Sequence, residues 1–315
     1  MTTPAFLYRI LLFLMLFFLC VPSAWAQQTI DWAKVHTLCI EMMNEMYNLR
    51  FPEAEQKAAA VIATAPSDPR GYFFRAMIHY YQCTFNQDEK GKKNDYSKFL
   101  GSAAKVETVC DQLLKYNEND SKAKFYKGGI VGYRGLLRFM SNEDLMKAVW
   151  DGRDAFNLLT EATEDDPNNA DAQFGLGLFK YLLTQAPDWV KPYIKLAGLK
   201  GDRVQGLTMM EKAAVNGVYA RSEARRWLSN FYAGLDPYKS RGAAHLKILA
   251  DQYPQSWYLR QQLGRYYLGN LRNATDAIPQ FQKLLALAPN ARILSPNEVG
   301  SMACFYMALA QYYKN

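Results

Sequence analysis

Trp257-Tyr258-Leu259-Arg260-Gln261-Gln262-Leu263-Gly264-Arg265-Tyr266-Tyr267, continued by Ala277, Phe281 and Pro289, reads as two antiparallel helices joined by a turn. Leu263 and Tyr267 are four residues apart and therefore share one helix face. Gly264 has no Cβ and admits a second helix at close range, at a cost of about 1 kcal/mol in helix propensity. On the second helix Ala277 and Phe281 are again four apart, the small residue at the crossing and the ring filling the space beside it. Pro289 follows the last apolar position and ends the helix. The turn at Gly269-Asn270 carries one residue more than a regular hairpin of this kind needs.

This order of residues resembles the tetratricopeptide repeat, a helix–turn–helix unit of about 34 residues with a W-x₂-L-G-x₂-Y…A-x₃-F…P pattern. Trp257 sits earlier than that pattern places it. The rest of the chain reads as weaker copies of the same unit. The fold expected is therefore all-α, a right-handed α-solenoid of about six tetratricopeptide-like helical hairpins with a C-terminal capping helix.

The chain has 315 residues, half of them apolar, which is ample for a core. Near the N-terminus Arg9 precedes a twelve-residue apolar run, residues 10–21, that is too short to span a bilayer. Ala24-Trp25-Ala26 matches an A-x-A cleavage site, so residues 1–26 are expected to be a signal peptide and residues 27–315 the α-solenoid. Phe17-Phe18-Leu19 before Cys20 lacks the small residues of a lipid-attachment site. Export implies a periplasmic or envelope-associated protein, with peripheral association at most, because no later stretch approaches 18 apolar residues. Losing Arg9 lowers the formal charge of +7 by one. That modest excess is scattered, which gives a nucleic-acid partner little support. Cys39, Cys83, Cys110 and Cys304 form no C-x-x-C. Their apolar helical settings favour buried free thiols, although an oxidising compartment permits disulfides whose pairing spacing does not set.

In order, residues 30–48 form an apolar-striped helix whose methionines fill gaps between helices, and Pro52 opens the next. The helix from Pro69 is aromatic nearly all round. Residues 86–95 read as a charged loop before the helix 96–116. Gly128, Gly129, Gly132 and Gly135 mark close helix packing; with no preceding strand and no following Lys-Ser/Thr they are not a phosphate loop. Ser141-x-x-Asp144 resembles a capping box. Residues 186–201 break the repeat with a connector holding a short helix, and Asn216-Gly217 predicts a left-handed turn.

Within residues 171–217, Gly175-x-Gly177, Leu183-x-x-Ala186-Pro187 and Gly198-Leu199-Lys200-Gly201-Asp202-Arg203-x-x-Gly206-Leu207 are similar to the outer-membrane and inclusion-body-clearance family of tetratricopeptide proteins. That family carries G-F-x-G-D-R-x-x-G-L, with Phe where Leu199 stands. The resemblance implies an α-helical repeat protein without catalytic residues. The family's eukaryotic members are intracellular, so their roles do not transfer to a chain with a leader. Read locally, Asp202 caps a helix starting near Arg203, and Arg203 is expected to reach a buried carboxylate of a neighbouring repeat.

No chemistry announces itself. His36, His79 and His245 lie on separate helices without metal-ligand spacing, no G-x-S-x-G elbow occurs, and nothing calls for a cofactor. In stacked hairpins the first helices line the inner face. The residues expected there are Phe73, Met77, Tyr80, Phe125, Tyr133, Phe174, Leu178 and Tyr181, an aromatic early half. Arg226, Asn230, Tyr258, Gln261 and Arg265 form a polar, basic late half. Tyrosine and arginine are common contact anchors. The function this favours is a non-catalytic scaffold or adaptor holding a protein or peptide in its concave groove. The alternative is a lipid or hydrophobic-ligand carrier, with the aromatic half and the 186–201 connector enclosing an apolar pocket.

Overall fold

A computed structural model describes residues 30–86, 88–141 and 144–314. The expected leader and its expected cleavage site lie outside the described residues. Every element of regular structure among the described residues is helical, and the α-helices number fourteen. They are α1 (Trp32–Tyr47), α2 (Phe51–Thr64), α3 (Pro69–Phe85), α4 (Glu89–Tyr116), α5 (Ser121–Ser141), α6 (Leu145–Asp165) and α7 (Ala170–Thr184). After these come α8 (Lys191–Leu196), α9 (Arg203–Asn216), α10 (Arg221–Ala233), α11 (Lys239–Gln252), α12 (Trp257–Arg265), α13 (Ala274–Leu287) and α14 (Pro296–Lys314). None of them is long and apolar enough to cross a membrane.

The helices pack in consecutive pairs: α1 with α2, α3 with α4, α5 with α6, α7 with α9 across the inserted α8, α10 with α11, and α12 with α13, while α14 lies on α13. The first helices of successive pairs also touch, α1 with α3, α3 with α5 and α5 with α7, so they form the inner layer. Side-chain caps start most of these helices. Asp31, Asp68, Asp88, Asp144, Asn169, Asp202, Ser256 and Asn273 each accept a bond from a first-turn backbone N–H, as short polar side chains at that position do.

The deciding hairpin behaves as its residues dictate. Leu263, Ala277 and Phe281 are fully buried. A Cβ on Gly264 would stand 2.5 Å from the Phe281 ring, so the absence of a side chain is what allows the two helices to meet. The extra residue before Asn270 is absorbed as a π turn over Tyr266–Asn270, closed by a bond from Leu271 N–H to the Tyr266 carbonyl at 3.2 Å. Single π turns are the usual way a helix accommodates one inserted residue.

Several local expectations need correction. Residues 89–95 are helical, because Asp88 caps Gly91 N–H at 2.7 Å and ion pairs such as Glu89–Lys92 bind the first turns together. Ser141 ends α5, bonding back to the Arg138 carbonyl, and the cap of α6 is Asp144 itself. Gly217 is not left-handed, with φ −59° and ψ 143°. It is needed because a Cβ there would stand 2.6 Å from the Ala213 carbonyl and 2.9 Å from the Asp171 carboxylate. Arg203 is exposed and forms no ion pair among the described residues; Asp202 does cap α9, through Gln205 N–H at 2.9 Å. All four described cysteines are free; Cys39 and Cys110 are buried, but Cys83 is only half-buried and Cys304 is exposed.

The array curls until its beginning meets its end. Tyr47 of α1 stacks on Tyr253 at 4.7 Å, and Phe85 of α3 packs edge-on against Tyr258 at 4.8 Å. Arg70, buried at the start of α3, donates to Asp68 at 2.8 Å and to the Tyr219 hydroxyl at 3.1 Å. Gln255 N–H donates to the Asn48 side chain at 3.0 Å. These contacts join residues some 150 to 200 positions apart and close the inner face that consecutive stacking alone would leave open.

Candidate functional site

Inside the curl lies a cavity of about 300 Å³. Its walls come from α1 (Met43, Met46, Tyr47), α3 (Phe73, Phe74, Met77), α5 (Phe125, Tyr126, Tyr133, Phe139), α6 (Ala148, Val149, Gly152), α7 (Phe174, Leu178, Phe179) and the connector (Ala186, Pro187, Val190, Ile194, Leu199). The space exists partly because side chains are missing: Gly129, Gly132, Gly135, Gly152 and Gly175 all border it. At Gly132 a Cβ would meet Phe179 at 2.7 Å, and at Gly175 it would meet Leu159 at 2.9 Å, so α5, α6 and α7 approach through these positions. The inner end is buried, at Tyr47, Tyr133 and Glu223, while Gln185, Pro187 and Phe139 on the other side are exposed. The cavity therefore opens beside the connector.

Glu223 is the one carboxylate in the lining, and it sits at the closed end. It projects from the first turn of α10 towards α1, α3 and α5. Its carboxylate accepts from the Tyr47 hydroxyl at 2.8 Å, from the Tyr81 hydroxyl, and from Arg226 Nη2 at 2.8 Å, with the Tyr133 hydroxyl at 3.4 Å. Burial opposes its charge, but the Arg226 guanidinium and the tyrosine hydroxyls outweigh that and hold the carboxyl below the usual range. Burial, with the Glu223 charge beside them, pushes the Tyr47 and Tyr133 phenols well above theirs. Arg226 is held charged by the same pairing and lies 5.6 Å from the Tyr81 ring centre. The group is a clasp between the first and the second half of the array, its polar atoms paired within the protein.

The inner-face residues expected from sequence divide into two sets. Phe73, Met77, Phe125, Tyr133, Phe174 and Leu178 come together around this cavity. Tyr80 lies behind Tyr133, edge-on at 4.9 Å, and Tyr181 is buried outside the cavity lining, stacked on Phe231 at 3.9 Å. The late set is dispersed. Arg226 is folded onto Glu223, Tyr258 onto Phe85, and Gln261 is buried with its amide turned to the Met302 sulfur. Arg265 lies 5.7 Å from the Tyr306 ring centre, and Asn230 is exposed. At that end Arg226 is taken into the Glu223 clasp, while Asn230 and Arg265 remain exposed.

Glu223 was the residue sequence reasoning overlooked. The available signal was its i,i+3 spacing to Arg226 on an otherwise apolar inner face, where two opposite charges have reason to sit only if they satisfy each other. The histidines are occupied locally: His36 with the Tyr219 hydroxyl at 2.8 Å, His79 with Glu55 at 2.8 Å and His245 with Glu211 at 3.3 Å. No group of three or more potential metal ligands occurs among the described residues. No protein-family model matches this chain, and no curated protein matches it either.

Proposed function

We propose that this chain is an exported, non-catalytic scaffold of tetratricopeptide-like hairpins in a right-handed α-solenoid, and that it carries a single apolar ligand, an acyl chain or comparable hydrocarbon, inside its curl. Two functions follow from the sequence: a protein segment held in a concave groove, and a hydrophobic ligand held in a pocket. One observation favours the second. The early inner-face residues line a cavity whose walls are hydrocarbon apart from Glu223, Gln185 and a few tyrosine hydroxyls. Ligand pockets span roughly 300–1,000 Å³, are mostly apolar and carry few polar groups, and this one fits the lower end of that range. An apolar cavity stays dry and takes apolar guests, since water gains no hydrogen bonds there. The leader expected at residues 1–26 supports a ligand taken up in the periplasm or the envelope.

The test is native mass spectrometry of the purified protein, followed by titration with a fluorescent acyl probe. Val149→Trp, from the α6 wall, fills the space without touching the Glu223 clasp. The wild type is expected to carry an apolar adduct or take up the probe, and the variant to do neither. Uptake that is absent from the wild type, or equal in the two proteins, rules the carrier function out.

A further inference from the structure

The connector between α7 and α9 is apolar on two opposite sides. Towards the cavity it presents Val190, Ile194 and Leu199. Towards solvent it presents Trp189, Tyr193 and Leu196, which are 57%, 37% and 72% exposed. Tyr193 and Leu196 lie three apart on the short helix α8, and Trp189 stands in the turn that leads into it. The ring of Phe139, half-exposed at the end of α5, stacks on Trp189 at 6.4 Å and 13° and extends the patch to the mouth of the cavity. Such a patch is not needed to shield the cavity, because Val190 and Ile194 already do that. A contiguous exposed apolar patch marks a contact surface.

The charges around the patch indicate what it contacts. Lys191, Lys195 and Lys200 are all exposed. Lys191 is neutralised by Asp188 at 2.6 Å, whereas Lys195 and Lys200 form no ion pair among the described residues. Tryptophan and tyrosine rings flanked by unpaired lysines match the interfacial zone of a bilayer, where the ring lies at headgroup level and the ammonium meets anionic lipid.

We propose that the 186–201 connector docks on an anionic membrane surface, with Trp189, Tyr193 and Leu196 entering the interface and Lys195 and Lys200 facing lipid phosphates. Because the same segment forms the outer wall of the cavity, a hydrocarbon chain passes between bilayer and cavity without crossing water. The proposal rests on the carrier function for its purpose, but its test does not depend on it.

The experiment is flotation of the full chain with vesicles of phosphatidylcholine, with and without phosphatidylglycerol. The substituted side chains are exposed, and circular dichroism verifies the fold of each variant. Wild type is expected to float with the anionic vesicles. Trp189→Ser/Leu196→Ser lowers vesicle binding by more than about tenfold, the loss expected when two large apolar side chains no longer enter the interface. Lys195→Glu/Lys200→Glu removes the preference for phosphatidylglycerol. Equal flotation of wild type and Trp189→Ser/Leu196→Ser overturns the proposal, as does a concentration-dependent dimer of the wild type that this variant loses. Retention of the acyl probe by a variant that no longer floats separates the docking surface from the cavity. Loss of the probe with flotation intact fails the cavity and leaves the docking surface standing.

Discussion

Replacing Glu223 by glutamine tests whether the clasp at the closed end of the cavity holds the two halves of the array together. The change keeps the side chain's shape and removes its charge. Glu223 now receives donors from Tyr47, Tyr81 and Arg226. A glutamine offers one acceptor oxygen and turns an NH₂ group towards the remaining donors, so at least one donor and the Arg226 cation lose their partner. Breaking a buried ion pair by removing one member costs about 3–5 kcal/mol. The Arg226 side chain is 15% exposed, which gives its charge some access to water, so the lower end, about 3 kcal/mol, is expected. That corresponds to more than a hundredfold in the unfolding equilibrium, by about 1.4 kcal/mol per tenfold.

The assay is urea unfolding followed by circular dichroism, with Glu41→Gln as the control. The Glu41–Lys57 pair is largely solvated, with side chains 46% and 39% exposed, and its loss is expected to change stability by less than about 1 kcal/mol. The effect also has a pH signature. Glu223's folded pKa lies below its unfolded value, so its contribution is fully present above about pH 4.3 and is lost as pH falls through the folded value. The gap between wild type and Glu223→Gln therefore narrows on acidification below about pH 4.3. A loss under about 1 kcal/mol at neutral pH, or a gap that widens in acid, would refute the assignment of Glu223 as a charged clasp.

Four further outcomes follow from the same geometry. Gly264→Ala forces a methyl group against the buried Phe281 ring and is expected to destabilise by about 1–3 kcal/mol in urea unfolding. Gly101→Ala, in α4 with nothing within 4 Å, is expected to stabilise by up to about 1 kcal/mol. Asp171 accepts from the backbone N–H groups of Val218, Tyr219 and Ala220 at 2.8–3.1 Å, so Asp171→Asn is expected to cost about 1–3 kcal/mol, read in the same assay. Mass-mapped alkylation of the native protein at pH 8 is expected to label the exposed Cys304 first. Cys39 and Cys110, whose thiols burial pushes up to about 12, react only after unfolding.

Much of the fold was legible because helical packing is written in local spacing. Leu263-Gly264, Ala277 and Phe281 specify a hairpin without reference to any distant residue, and the caps at Asp68 and Asp202 mark helix starts from one or two positions. Where the local reading failed, a neighbour in space decided. Gly217 looks like a turn glycine from its sequence and is in fact a gap left for the Asp171 carboxylate, nearly fifty residues away. Six of the early inner-face residues gather around the cavity because the first helices of successive pairs touch. The late ones disperse, because the Glu223–Arg226 pair, legible only as an i,i+3 spacing, is drawn inwards by tyrosines of α1 and α3 that no spacing along α10 reveals.

The chain's own pattern thus determined an all-helical protein of paired helices, the connector that interrupts them, and the aromatic character of the inner face. Only the tertiary structure decided that the curl closes, so that an inner face legible as a groove becomes a cavity. The reason is physical. Hairpin formation depends on contacts between residues a few turns apart, whereas closure depends on small rotations summed over successive pairs. Those rotations bring Tyr47 onto Tyr253 and Tyr81 onto Glu223, contacts that no single repeat encodes.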